Sequence, residues 1–263
     1  MLVIGNGRLV TRDAANPFIE NGAVAMDGNV IKKVGTLEEV KKEFPEAEFI
    51  DAKGGVIMPA FINTHEHIYS AMARGLSIKG YDPKGFLDIL DGMWWTIDRH
   101  LTNEQTRQSA RATYLDSIKN GVTTVFDHHA SFGEIKDSLF AIEDAAKEMG
   151  VRTCLCYEIS DRDGMDKARA AVMENASWIK HALADDTDMI AGMMGMHAQF
   201  TISDETMELA AANKPAEVGY HIHVAEGIED LHDCLKKYGK RIVDRLRTAI
   251  SLGKRPCWPT AFT

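Results

Sequence analysis

His65-Glu66-His67 closes the run Gly55-Val56-Ile57-Met58-Pro59-Ala60-Phe61-Ile62-Asn63-Thr64. A short apolar run ending in His-x-His reads as a buried strand whose tip presents two imidazoles. Successive strand side chains alternate between faces, so His65 and His67 point the same way and can grip one metal ion. Neutral imidazole nitrogen is a favoured ligand for zinc and iron. An isolated pair of this kind is more often a surface feature. Here a second apolar run, Tyr220 to Val224, carries His223 and leads to Glu226. A water activated by a metal needs a nearby carboxylate to take its proton and pass it to a leaving group, and Glu226 stands where it can do this while His223 holds the metal. The competing reading makes Glu226, Glu229 and Asp230 the acidic first turn of a helix. Beside His65 and His67, the metal-dependent hydrolase reading carries more weight.

The elements that must position these groups alternate after Ile57. Strands are expected over Ile57 to Thr64, Val122 to Asp127, Val151 to Glu158, Met189 to His197 and Tyr220 to Val224. Helices are expected over Asn103 to Lys119, Ile135 to Met149, Met165 to Leu183, Asp204 to Ala212 and Ile228 to Ala249. Thr102 and Gln105 form a capping box at the first of these helices. Repeated βα units predict a parallel sheet or a TIM-type barrel, whose chemistry sits at the C-terminal ends of the strands. His65, His67, Asp127, His128, His197 and His223 all fall at or just past such ends. A closed (β/α)8 barrel needs eight units and five are visible. Before Ile57 the pattern is all β. Asp27-Gly28-Asn29 between two apolar strands signals a hairpin, because its turn needs positive φ. The expected organisation is therefore a small β-sandwich portion over 1–57, a partial barrel with the metal site over 58–250, and a non-native tail over 251–263.

Other residues carry weaker signals. His197, in Gly195-Met196-His197-Ala198-Gln199, is expected to orient substrate. Of His128 and His129, one lines the pocket and the other is structural, with His128 the candidate substrate contact. Trp94 and Trp95 provide either an aromatic wall for a flat substrate or packing for a long connection. Cys154 and Cys156 alternate in a strand and read as small core residues, and the Met193, Met194 and Met196 cluster reads as packing.

Composition sets outer bounds. The 263 residues suffice for one large α/β domain with a small accessory unit. Hydrophobic and charged contents of 45% and 26% suit a globular protein. A net charge of -9 disfavours a nucleic-acid partner, which needs a cationic face. No stretch has membrane-spanning length, the first residues lack a signal peptide's basic start, and the four cysteines agree with a reducing compartment, so the expectation is cytoplasmic.

The segment Val56 to His67 resembles the first-strand signature of the amidohydrolase superfamily. His197-Ala198-Gln199-Phe200-Thr201 and His223-Val224-Ala225-Glu226 resemble the fourth- and fifth-strand motifs of its deaminase and chlorohydrolase branch. Within that branch the chain is most similar to the aminohydrolases of the SsnA group, through His67 to Gly75, Trp94-Trp95, Asp127 to Ser131 and Tyr238-Gly239-Lys240. The resemblance implies one divalent ion, zinc or iron, with His65, His67 and His223 as ligands. Glu226 would be the proton shuttle and His197 a substrate contact. It also implies deamination of a purine- or pyrimidine-like small molecule by metal-bound hydroxide, and leaves room for a homo-oligomer. Two departures stand out. Ala60 replaces the usual Gly, and the chain stops before the sixth-strand His and the eighth-strand Asp that would be the fourth ligand. Ser251 to Thr263, with two prolines and a tryptophan, reads as foreign sequence. Back-translated and moved forward by two nucleotides, its codons can spell Leu-Ala-His-Cys-x-His, like the missing sixth-strand motif. The expectation is a frameshift near Ala249 to Gly253. The rival readings are a catalytically dead, metal-binding fragment and a binuclear amidase, the latter disfavoured because strand four carries His197 and no lysine.

Overall fold

The structure, a computed structural model, describes residues 1–250. The tail reading therefore lies outside the described residues, as does Cys257. Two compact units divide at Ala60/Phe61.

The first unit contains β1 (Leu2–Val10), β2 (Phe18–Asp27), β3 (Val30–Thr36), α1 (Leu37–Glu43), β4 (Glu48–Asp51) and β5 (Val56–Ile57). It forms one five-stranded sheet of order β3-β2-β1-β4, with β5 also on β1. The expected hairpin joins β2 to β3, Asp27 facing Val30 across a turn in which Gly28 has φ 58°. Val3 of β1 packs with Ala23, Ala25 and Val40 of α1, while Leu9, beyond the register shifts after Gly5, packs with Val24 and Ile57. Val56 and Ile57 pair with Arg8 and Leu9, so they belong to this sheet and not to the strand that carries His65. Pro59 follows, and its missing N–H makes it a poor residue for a continuous ladder.

The second unit begins with β6 (Phe61–Glu66), followed by a 3₁₀ turn over Ile68–Ala73 and the short helices α2 (Phe86–Ile89) and α3 (Trp95–Asp98). Next come α4 (Asn103–Lys119), β7 (Val122–His129), α5 (Ser138–Met149), β8 (Arg152–Tyr157) and α6 (Met165–Leu183). The chain continues through β9 (Ile190–Gly192), β10 (Met194–Ala198), α7 (Asp204–Ala212), β11 (Tyr220–His223), α8 (Ile228–Tyr238) and α9 (Ile242–Ala249). The sheets run β6-β7-β8-β9 and β10-β11, and all these pairings are parallel. β9 and β10 are one strand path. Met193 N–H donates to Leu155 O on one side, and Met194 N–H to Gly219 O on the other. The parallel βα alternation expected from the sequence is thus present.

Three helices occupy the expected spans. α4 carries the capping box, with Gln105 N donating to the Thr102 hydroxyl at 3.3 Å and Thr102 N to Gln105 Oε1 at 2.9 Å. The single helix expected over Ile228 to Ala249 is instead two. Gly239, at φ 62°, returns its N–H to Leu235 O, a left-handed cap that a continuing helix cannot contain. The core between sheet and helices includes Val125, Leu155, Tyr157, Trp178, Met194 and Met196. Cys154, Cys156 and Met193 pack together in a smaller cluster.

Buried Asn175 of α6 joins β8 to β10. Its Oδ1 accepts from Tyr157 N at 2.9 Å and Gly195 N at 3.2 Å, while its Nδ2 donates to Tyr157 O at 2.8 Å. Gly195 permits this approach, since a Cβ there would sit 2.3 Å from Tyr157 O. Asn175→Ala strands three buried backbone partners, each worth about 1–3 kcal/mol when unsatisfied. The expected result is a loss of about 3 kcal/mol in urea denaturation, and an unchanged midpoint would refute the clamp.

Candidate metal centre and substrate cavity

His65 lies near the end of β6 and His67 follows it, and Glu66 between them points away from the imidazoles. Glu66 Oε2 accepts from Asn63 Nδ2 at 2.8 Å and Oε1 from His67 N at 3.0 Å, which steadies the strand tip. His223 ends β11. The ligand atoms of His65, His67 and His223 lie within 4.8 Å of one another. His67 Nε2 is 3.1 Å from His223 Nε2, which is 3.3 Å from His65 Nε2.

The far nitrogens explain this convergence. His67 Nδ1 lies 2.8 Å from His128 O, and His223 Nδ1 lies 3.0 Å from His197 O. A carbonyl only accepts, so both Nδ1 atoms carry the hydrogen and both Nε2 atoms present bare lone pairs. Two lone pairs facing each other at 3.1 Å repel, whereas a cation between them is attracted by both. Two nitrogens bound tetrahedrally to one zinc at about 2.0–2.1 Å stand about 3.3 Å apart. His65 completes the set if its Nδ1 hydrogen is donated to His221 Nε2, 2.9 Å away. These donors fit a zinc or iron ion of the kind that the resemblance implies.

A cavity of about 150 Å³ opens beside them, lined by His67, Tyr69, Trp94, Trp95, Glu158, His197, His223 and Glu226, with Ser70 and Leu90. Ala225 adopts φ 58°, and its N–H is held by Asp230 Oδ2 at 2.9 Å. That turn brings Glu226 to the cavity. Gln199 Nε2 donates to Asp230 Oδ1 at 2.8 Å, and Arg245 Nη1 donates to Gln199 Oε1 at 2.7 Å, so the turn is braced from α9. His197 Nδ1 is 2.8 Å from Thr201 Oγ1, whose hydroxyl donates to Ala198 O. His197 therefore keeps its hydrogen on Nδ1 and leaves Nε2 as an acceptor.

Of the sequence candidates, the structure brings His65, His67, His223, Glu226, His197 and Trp94 to one region. It does not bring the His128 ring to the cavity surface. That ring is fully buried, Nε2 donating to Met196 O at 3.0 Å, and His128 contributes its carbonyl instead. His129 is equally buried. Glu158 and His221 were missed as site residues. Glu158 ends the third predicted strand, so the strand-end rule could have found it. His221 sits two residues before a ligand candidate on the same strand, and the pleat could have suggested it.

The sequence pattern of the amidohydrolase family matches residues 56–254. The chain is 27% identical over 227 residues to the 5'-deoxyadenosine deaminase of Methanococcus maripaludis strain C5, covering 85% of this chain and 50% of that protein. It is 27% identical over 255 residues to the 5-methylthioadenosine/S-adenosylhomocysteine deaminase of Bacillus cereus, covering 95% and 56%. In fold it is similar to the zinc complex of the atrazine chlorohydrolase TrzN from Arthrobacter aurescens TC1, with TM-score 0.77, 22% identity and coverage of 95% and 58%. The E. coli guanine deaminase gives TM-score 0.76 at 19% identity, covering 95% of this chain and 60% of that one. The chain spans about half the length of the curated relatives it matches. Among the described residues no helix is long and apolar enough to cross a membrane.

Burial governs the electrostatics here. It lowers His67 to about 4, assisted by His65 and His197, and lowers His129, His197 and His221 each to about 3. Desolvation in the cleft also raises the Glu226 carboxyl, aided by the charges of Glu158 and Asp230. Burial lifts Glu158 and Asp98 to about 7 against the pull of Arg162. A histidine neutral in the fold but protonated when unfolded binds fewer protons in the native state. Its contribution is present above pH about 6.5 and is lost towards its folded value, by up to about 1.4 kcal/mol per pH unit. Among the described residues six raised carboxyl groups, Asp98, Asp127, Glu158, Glu174, Glu226 and Asp230, act oppositely to the seven lowered histidines, because their folded forms bind protons more readily than the unfolded chain does. The histidines outnumber them, so the metal-free protein should have a lower urea midpoint at pH 5 than at pH 7. An equal or higher midpoint at pH 5 would contradict the neutral histidine cluster.

Proposed function

The chain belongs to the amidohydrolase family, and from that membership we propose that it falls in the deaminase and chlorohydrolase branch and carries the metal-binding part of an aminohydrolase acting on a heterocyclic amine. In this reading residues 58–250 are the first five units of a (β/α)8 barrel, and residues 1–57 form one layer of an accessory β-sandwich. The SsnA group is the proposed subgroup. The carrying observation is the convergence of three imidazole Nε2 atoms, two of them with lone pairs preset by backbone carbonyls.

His65, His67 and His223 would hold one zinc or iron ion. The bound ion would supply Lewis-acid polarisation and activate water for attack at an sp2 carbon. Glu226 would take a proton from the attacking water and deliver it to a ring nitrogen, then take the second proton from the added hydroxyl and deliver it to the amine, which leaves as ammonia. Desolvation raises the proton affinity of Glu226, which helps it take up the proton it then passes on. His197 Nε2 would accept a hydrogen bond from the substrate, and Trp94 would stack on or beside its ring. His128 would act through its carbonyl, fixing the tautomer of His67. The purine nucleosides named for the deaminase relatives and the guanine of the structural relative set the class to assay first.

Zinc titration and ammonia release test this reading together. The protein should bind one zinc, and His67→Ala or His223→Ala should weaken binding severely. Glu226→Gln should keep the zinc and lower kcat by about 10²–10⁴-fold. Zinc binding indifferent to both histidine changes, or full turnover in Glu226→Gln, would refute the assignment.

A further inference from the structure

Glu158 is almost completely buried, yet it faces the cavity. Its Oε1 has no hydrogen-bond partner. The nearest cation, Arg162 Nη2, stands 3.5 Å from that oxygen and is bonded more closely to Asp98 Oδ2. Arg162 is also held over the Phe132 ring at 3.9 Å and the Trp95 ring at 5.1 Å, which fixes it in place. The other nearby donor candidate, His128 Nδ1, is 3.8 Å from Glu158 Oε2, beyond hydrogen-bond reach. One guanidinium thus serves two buried carboxyl groups, and the one that lines the cavity is left with an unused acceptor. Oε1 is sealed inside the protein, and no hydrogen bond among the described residues uses the carboxyl group, so a ligand N–H in the cavity would meet its acceptor capacity through the edge of Glu158 that lines it.

The remaining lining narrows the ligand. Trp94, Trp95 and Tyr69 supply flat apolar walls. The cavity's 150 Å³ lies below the about 300–1,000 Å³ of sites for drug-sized ligands. We propose that Glu158 accepts a ring N–H of the substrate, so that the cavity selects a free heterocyclic base over its N-alkylated or nucleoside form. Glu158 is thereby a specificity-determining residue. The proposal rests on the aminohydrolase reading for what happens at the opposite, reacting edge. It departs from the nucleosides named for the sequence relatives, whose glycosidic nitrogen has no hydrogen to give.

Matched probes isolate the contact. Adenine and cytosine each carry a ring N–H that 9-methyladenine and 1-methylcytosine lack. Binding is measured by calorimetry on the zinc-treated full chain bearing Glu226→Gln, so that turnover does not interfere. At about pH 8.5, above the value of about 7 to which burial lifts Glu158, at least one parent base should bind about ten- to hundredfold more tightly than its methylated partner, as expected for a hydrogen bond to a charged acceptor. Adding Glu158→Gln should reduce that preference to within about threefold while the methylated base keeps its affinity. Asp98→Asn, which disturbs the same ion pair without touching the cavity, should preserve the preference. If Glu158→Gln fails to fold, Glu158→Asp must lose the preference in its place. Equal binding within both pairs, no binding of any probe, or equal weakening of both members by Glu158→Gln overturns the proposal. Zinc stoichiometry on the same samples separates the two readings. Zinc held by the histidines without base preference sinks only the role of Glu158, whereas intact preference without zinc sinks only the metal assignment.

Discussion

Two backbone carbonyls set the arrangement on which the site depends. The ends of β7 and β10 offer His128 O and His197 O, and these hold the back nitrogens of His67 and His223. Ring orientation and tautomer are consequently fixed by strand geometry. A ligand set oriented in this way needs little reorganisation when an ion arrives. The same dependence explains why the surrounding structure is rigid where it is. Asn175 and Gly195 hold β8 against β10, and the Arg245–Gln199–Asp230 chain holds the turn after β11. A slip of either strand would move a carbonyl away from an imidazole and turn a lone pair out of the cluster.

Burial then assigns charge states. Desolvation keeps the histidines neutral, as metal ligands must be, and simultaneously raises the acids that share their cavity. One physical cause therefore keeps the imidazoles of the proposed metal site neutral and raises the proton affinity of Glu226, the carboxyl group proposed as the shuttle. The cost falls on the fold, which holds several imidazoles and carboxyl groups out of water with few compensating partners. Asp98, Glu158, Arg162 and His128 all retain buried polar atoms without hydrogen bonds. Such concentration of unmet polarity at one end of a parallel sheet marks a place built for a ligand and not for stability alone.

Much of this was legible in the sequence because it is local. The His-x-His pair follows from the strand pleat, and α4, α6 and α7 follow from periodicity, with the cap at Thr102 marking the start of α4. Boundaries were less legible. Val56 and Ile57 looked like the start of the strand bearing His65, and only their pairing with β1 assigns them elsewhere. Gly239 carried a helix-stop signal, but the apolar periodicity on both sides masked it. What could not be read was tertiary. Arg162 meets Asp98 across 64 residues, and His65 meets His221 across 156. His128 looked like a pocket residue because its position at a strand end is right. Its side chain faces the interior, and its contribution comes through the backbone.

The central claim is that three imidazoles, oriented through their back nitrogens, form one metal centre. X-ray absorption spectroscopy of the zinc-loaded protein tests it most directly. The account predicts three imidazole nitrogens at about 2.0–2.1 Å with no sulfur, and two on zinc once His223 is replaced by alanine. Sulfur in the shell at about 2.3 Å, or a spectrum unchanged by His223→Ala, would contradict it.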